Sequence, residues 1–175
     1  LRSMLQQKRE GRIRPGLDDK VLADWNGLMI AALSNAGAML GESPWIALAI
    51  RGFDFVAREM TRENRLGPSW REGKLLYPGL ASDYAAMIKA ALALHEATGE
   101  KQFLDTALSW QSAFDTHYAN DRNGGYYFTA DDAEGLVIRP NSASDDASPN
   151  PNAIAAQNLI RFAGYAGAES WRAQA

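Results

Sequence analysis

The stretch from residue 18 to residue 41 constrains the fold most. It begins with two carboxylates, Asp18 and Asp19, and then becomes almost wholly apolar as far as Gly41. A helix that is apolar on nearly every side must be surrounded by other elements. The stretch therefore predicts a long inner helix of a layered helical domain, and either Asp18 or Asp19 is expected to cap its first turn.

The helical segments that follow alternate in character. Residues 43–62 carry a single apolar stripe with spacings of three and four, which is typical of a helix that faces water on its other side. Residues 82–98 carry two stripes, one of them made of alanines, and predict a second inner helix. Residues 101–118 again carry one stripe, a fifth helix is expected at 150–164, and Trp171 is expected to begin a sixth.

This alternation is part of an internal repeat of roughly sixty to seventy residues. An Ala-Ala-Leu segment followed by Gly-Glu and then an aromatic residue occurs at 30–45 and again at 89–103. Each unit is a helical hairpin, with its inner helix near an axis and its outer helix behind. The predicted fold is all-α: one partial α/α toroid domain, about half of the ring, with hairpins at about 18–62, 82–118 and 150–175.

The connections between helices predict where a binding face lies. Connections from an inner to an outer helix are short, whereas those from an outer to the next inner helix are long, at 63–81 and 119–150. The long loops therefore share one face with the N-termini of the inner helices. Long structured loops in a compact domain usually carry function. Short β-hairpins are expected in both loops, one of them around Glu72-Gly73 and the other within 126–139.

The segment 14–33, Arg-Pro-Gly-Leu-Asp-Asp-Lys-Val-Leu-Ala-Asp-Trp-Asn-Gly-Leu-Met-Ile-Ala-Ala-Leu, closely resembles the YyaL-type proteins, also called spermatogenesis-associated thioredoxin-like proteins. Segments at 80–85, 91–100, 124–129 and 146–153 are similar to family motifs in the same order. The resemblance implies a six-hairpin toroid, similar to glycosidases and sugar 2-epimerases. It also implies a thioredoxin-like domain that is not part of this chain.

Two functions from different classes remain open. The first is an enzyme-type toroid that hydrolyses or epimerises a carbohydrate. Glycoside hydrolysis uses two carboxylates, and Asp83 is the main catalytic candidate, with Asp19 weaker and Asp18 or Asp24 as further partners. Helix capping is the structural alternative for these aspartates. The residues predicted to contact substrate are Trp25, Asn26, Trp70, Arg71, Tyr84 and Asn152.

The second function is a non-catalytic binding or scaffold domain that serves the missing thioredoxin-like domain. In that case the partners are the thioredoxin-like domain and the rest of the toroid, and no turnover is expected. Because half a ring leaves the flanks of its inner helices uncovered, self-association of the chain is also expected.

The composition of the chain argues against several other kinds of site and partner. The chain has no cysteine and only His95 and His117, so thiolate or multi-histidine metal sites are excluded within it, and neither a metal nor a cofactor is expected. The net charge of −3 is spread over interspersed acidic and basic residues, which argues against a nucleic-acid partner. No apolar run reaches the roughly 18 residues of a membrane span, so a cytoplasmic location without a membrane partner is expected.

Overall fold

The computed structural model describes residues 1–166, 171 and 175, and helices carry most of this part of the chain. The helices are α1 Arg2–Glu10, α2 Ala23–Leu40, α3 Ser43–Glu59, α4 Ala81–Thr98, α5 Lys101–Tyr118 and α6 Pro151–Ala166. The predicted all-α class is therefore confirmed. No helix in the described part combines the length and apolar character that crossing a membrane requires.

Two helical hairpins follow one another in the chain. Helices α2 and α3 are joined at Gly41, and α4 and α5 are joined at Gly99; both glycines have a φ of +73°, the left-handed conformation that ends many helices. Helix α6 begins a third unit. The sixth helix predicted from Trp171 falls on a segment of which residues 167–170 and 172–174 lie outside the described residues.

The strands are short and lie between the helices. They are β1 Val21–Leu22, β2 Thr61–Arg62, β3 Arg65–Leu66, β4 Ser69–Arg71 and β5 Lys74–Leu75. Strands β1, β4 and β5 form an antiparallel sheet in that order, and β2 pairs with β3. The turn between β4 and β5 is Glu72-Gly73, and both residues have a positive φ. The hairpin predicted around these two residues is therefore confirmed.

The second predicted hairpin, within 126–139, is wrong. Residues 126–129 make only isolated bridges to Ala119 and Leu80, and residues 136–138 form no strand. Val137 is fully exposed and Ile138 is mostly exposed. A strand needs a face that packs on the core, and this apolar run has none.

Helix α4 is the enclosed centre of the fold. It packs against α2, α3, α5 and α6, and twelve of its residues are buried. Its contact with α2 is close: a Cβ added at Gly27 would lie 2.7 Å from the carbonyl carbon of Ala86. The small residues predicted to form a contact stripe on α4 thus let the backbones of two helices approach each other.

Helix α2 differs from the prediction in two ways. It begins at Ala23, because Val21 and Leu22 pair with β4, so capping of this helix by Asp18 or Asp19 is wrong. It is also enclosed on only part of its surface. Trp25 is 63% and Met29 60% exposed, because α3 and α4 are the described helices that pack on it.

Candidate functional site

The N-termini of α2, α4 and α6 meet at one end of the fold, where residues 140–150 lie across them. Together they enclose a pocket of about 350 Å³. Its wall includes Asp24, Ser82, Phe128, Asp146, Asn150 and Asn152. The prediction that the inner helices begin on one common face is therefore confirmed, and the pocket contains two carboxylates.

Asp24 supplies the first of these carboxylates from the opening turn of α2. Its side chain is half-buried, and Oδ1 accepts the backbone N–H of Trp25 at 2.7 Å. Burial raises the pKa of Asp24 above the ordinary range of an aspartate, whereas its hydrogen bonds to backbone N–H groups lower it. A carboxyl group with a raised pKa in a pocket is suited to proton transfer.

Asp83 lies behind this wall, and its side chain is not part of the pocket. The residue is 2% exposed. Its Oδ2 accepts the backbone N–H of Leu80 at 2.7 Å, and its Oδ1 accepts the backbone N–H of Asp24 at 3.1 Å. The residues that precede α2 and α4 are Leu22 and Leu80, which carry no side-chain acceptor. One carboxylate therefore caps two helices.

The charge of Asp83 is poorly compensated. Burial and the nearby charge of Asp24 raise the pKa of Asp83 to about 7, although the two N–H groups that it accepts favour the ionised form. The structure thus places Asp83, the main catalytic candidate, beneath the pocket and places Asp24 on its surface. The catalytic assignment of Asp83 stays a prediction.

Asn150 and Asn152 hold the loop against α6. The side-chain oxygen of Asn150 accepts the backbone N–H groups of Asn152 and Ala153 at 2.9 and 3.3 Å, which caps the helix. The Asn150 amide donates to the carbonyls of Ser142 and Ser144, both at 2.9 Å. Asn152 lines the pocket, and its side chain also bonds to the backbone; its contact with a substrate stays a prediction.

Asn152 bonds both main-chain groups of Tyr126. Its Oδ1 accepts the N–H of Tyr126 at 2.7 Å, and its Nδ2 donates to the carbonyl of Tyr126 at 3.2 Å. Two side-chain hydrogen bonds therefore tie the start of α6 to the backbone of Tyr126.

Asp19 and Arg71, both predicted at the site, pair with each other. Nε of Arg71 lies 2.6 Å from Oδ1 of Asp19, and each side chain is about half exposed. An exposed pair of this kind contributes roughly 0–1 kcal/mol to stability. Neither residue lines the pocket described above.

The predicted aromatic contacts have different environments. Trp25 is exposed beside Asp24, whereas Trp70 is half-buried and packs edge-on against Phe55 with ring centroids 5.2 Å apart. Tyr84 is fully buried; its ring stacks on Phe114 and its hydroxyl oxygen accepts the N–H of Leu66. A ligand on the surface cannot reach Tyr84, so its predicted contact with substrate is corrected to a core role.

Asn26 has a partner within its own segment. Its Nδ2 donates to the carbonyl of Leu22 at 2.8 Å, which satisfies the amide beside the start of α2. The pocket wall also contains residues that the sequence did not predict for the site, among them Asp146, Phe128 and the serines of residues 142–148. Asp146 belongs to the segment 146–153, which is similar to a family motif but which predicted no role for Asp146.

One group of possible metal ligands lies away from the pocket. His117, Asp131 and Asp132 place ligand atoms within 4.8 Å of one another. However, the guanidinium of Arg65 forms two hydrogen bonds to the carboxylate of Asp132, at 2.5 and 2.8 Å, and this lowers the pKa of Asp132. The positive charge that a metal would supply is already provided by Arg65.

No protein-family model matches the chain, but comparison with known sequences finds relatives. Spermatogenesis-associated protein 20 of Homo sapiens is 33% identical over 186 residues, which cover 95% of this chain and 23% of that protein. The Mus musculus protein of the same name is 32% identical, with 95% and 22% covered. The chain therefore spans less than a quarter of the length of these curated relatives.

Comparison with solved structures shows the fold. The chain superposes on a GH76 α-mannanase of Bacteroides thetaiotaomicron with a TM-score of 0.71 at 12% identity, covering 93% of this chain and 41% of that one. A cellobiose 2-epimerase of Spirochaeta thermophila gives a TM-score of 0.70 at 16% identity, covering 89% and 41%. The predicted α/α toroid, with this chain as part of the ring, is confirmed.

Proposed function

We propose that the pocket at the N-termini of α2, α4 and α6 binds a carbohydrate, and that the chain is part of a toroid that hydrolyses or epimerises it. The observation that carries the proposal is the composition of the pocket wall. Carboxylates, amides and hydroxyl groups surround Phe128, whose side chain is partly exposed. A pocket of this size with a few convergent polar groups is typical of small-molecule sites.

In this proposal Asp24 and Asp146 have different roles in the reaction. Asp24 is half-buried with a raised pKa, so it holds a proton closer to neutral pH and serves as the acid. Asp146 is exposed on the loop that lines the same pocket, and it serves as the base or charge stabiliser. The names of the structural neighbours, an α-mannanase and a cellobiose 2-epimerase, agree with a carbohydrate as the substrate class.

The test measures the binding of three disaccharides, mannobiose, maltose and cellobiose, by isothermal titration calorimetry and by ligand-detected NMR. We expect at least one of them to bind the wild type, and Asp24→Asn to weaken that binding at least about tenfold, because the amide replaces a carboxyl oxygen that can accept a sugar hydroxyl. Asp54→Asn, a change at an exposed aspartate of α3 that does not line the pocket, is the matched control and should bind like the wild type. If none of the three sugars binds the wild type, the proposal fails.

A second proposal rests on the exposed flank of α2. The likeness to YyaL-type proteins suggests that the longer protein carries a thioredoxin-like domain, and the exposed side chains of Trp25 and Met29 offer an apolar surface for a neighbouring domain. A pull-down with the thioredoxin-like domain of such a protein tests this scaffold role. Capture of the wild type but not of Trp25→Glu supports it, and equal capture of both excludes this surface.

A further inference from the structure

We propose that Asp83 is a positioning residue for the pocket: its buried carboxylate fixes the first turn of α2, so that the side chain of Asp24 faces the ligand. The proposal rests on the proposed function, because it takes Asp24 to be the residue that meets the ligand. It assigns Asp83 a role that works through Asp24 and not through contact with the substrate.

The hydrogen bonds around the start of α2 support this role. The first turn of a helix has N–H groups without intrahelical partners. Here the N–H of Ala23 donates to the carbonyl of Pro68 at 3.0 Å, that of Asp24 donates to Asp83, and that of Trp25 donates to the carboxylate of Asp24. Hydrogen bonds thus fix both the backbone and the side chain of Asp24. The acceptor for its backbone N–H is the carboxylate of Asp83.

The other oxygen of Asp83 ties this arrangement to α4. The N–H of Leu80 donates to Oδ2 at 2.7 Å, and a Cβ added at the neighbouring Gly79 would lie 3.4 Å from the same oxygen. Because both oxygens accept a backbone N–H from a different helix start, rotation of the carboxylate would break one bond or the other. Asp83 therefore sets where α2 begins relative to α4.

The charge of Asp83 links it to Asp24 as well. The titratable group that raises the pKa of Asp83 electrostatically is Asp24, from α2, and Asp83 in turn raises the pKa of Tyr118, from α5; neither group is a cation. Its negative charge therefore relies on the N-terminal dipoles of the two helices that it caps. Since the charge of Asp24 raises the pKa of Asp83, a change in the charge of Asp83 must in turn alter the proton affinity of Asp24.

The first experiment uses the wild type alone and needs no sugar. The carboxyl carbons of Asp24 and Asp83 and the amide proton of Asp24 are followed by NMR from acid to mildly alkaline pH. We expect the Asp24 amide to shift with the midpoint of the Asp83 carboxyl, because that carboxylate is its acceptor. An Asp24 amide that does not follow Asp83 overturns the proposal, whether or not a sugar binds.

The second experiment separates positioning from simple stabilisation. Asp83→Asn has one oxygen where the wild type has two, so it can accept only one of the two N–H groups. The ligand is the disaccharide that binds the wild type in the panel above. Its affinity is measured for the wild type, Asp83→Asn, Asp24→Asn and the double variant. Circular dichroism first checks that each variant is folded.

We expect Asp83→Asn to bind about tenfold more weakly and to lose the pH dependence of binding near neutrality, but to cause no further loss when Asp24 is already Asn. Equal losses on both backgrounds, or an unchanged pH profile, overturn the proposal. If the wild type binds no sugar, the proposed function fails, and the NMR experiment then decides only whether Asp83 fixes the first turn of α2. If Asp83→Asn does not fold, that same experiment decides it.

Discussion

Replacing Gly27 with alanine tests the close approach of α2 to α4. A Cβ built at Gly27 would lie 2.7 Å from the carbonyl carbon of Ala86, 2.8 Å from its oxygen and 2.9 Å from the backbone nitrogen of Met87. These are backbone atoms of a buried helix and cannot rotate away. The two helices would have to separate by about 0.7 Å to reach an ordinary contact distance of 3.4 Å.

The magnitude follows from two opposed terms. Alanine is favoured over glycine in a helix interior by about 1 kcal/mol. Overpacking of a tight contact costs about 1–3 kcal/mol and sometimes more, and here the whole α2–α4 interface has to open, because the clash is with backbone. We therefore expect Gly27→Ala to lower the free energy of unfolding by about 2 kcal/mol in spite of its better helix propensity.

The matched control is Gly52→Ala in α3. There the nearest atoms to the added Cβ are Cγ1 and Cδ1 of Ile30, at 3.4 and 3.5 Å, so only the propensity term remains. We expect this variant to be unchanged or more stable by up to about 1 kcal/mol. Urea unfolding followed by circular dichroism measures both. The reasoning is refuted if Gly27→Ala is as stable as the wild type, or if the two variants change alike.

Two further predictions concern charge and assembly. Because the folded pKa of Asp83 is raised from 3.8 to about 7, its contribution to stability is full below about pH 4 and is lost as the pH rises through 7, by about 4 kcal/mol in total at about 1.4 kcal/mol per pKa unit. Urea unfolding of the wild type should show this loss relative to Asp83→Asn, and a difference that is constant with pH contradicts it. Self-association through the exposed flank of α2 predicts a mass above the 19.1 kDa of one chain by light scattering, abolished by Met29→Glu but not by Leu48→Glu, a control on the outer helix α3. A monomeric wild type would rule it out.

Local signals in the sequence were sufficient for much of the fold. The bounds of α5, at 101–118, follow from its single stripe and from the glycine that precedes it, and the structure has the same bounds. The β4–β5 turn follows from Glu72-Gly73. In both cases the deciding contacts lie within a few residues, so a pattern along the chain is enough to predict them.

The remaining features depend on contacts between distant segments. Helix α2 starts at Ala23 and not near Asp19, because Val21 pairs with Trp70, 49 positions further along the chain. The apolar run at 136–138 resembles a strand, but no core surface lies beside it. Periodicity gives no information on either point.

The candidate site likewise combines features that local sequence signals predict with features that depend on distant contacts. The sequence selected the face of the fold and Asp83, but only the three-dimensional arrangement shows that Asp24 faces the pocket while Asp83 lies behind it. It also brings Asp146, on a loop with no periodic pattern, into the wall of the same pocket.

The way in which the three inner helices are capped supports a functional role for this end of the fold. Helix α6 is capped locally by Asn150, a neutral side chain at the helix start. Serine or asparagine in place of Leu22 and Leu80 would cap α2 and α4 in the same way, without a buried charge. Instead, both helices share the carboxylate of Asp83, whose pKa is raised because burial and Asp24 disfavour its charge. Stability alone favours the local caps. A less stable arrangement that ties the two helices directly beneath Asp24 is what a site requires when it needs a fixed carboxyl group with a raised pKa.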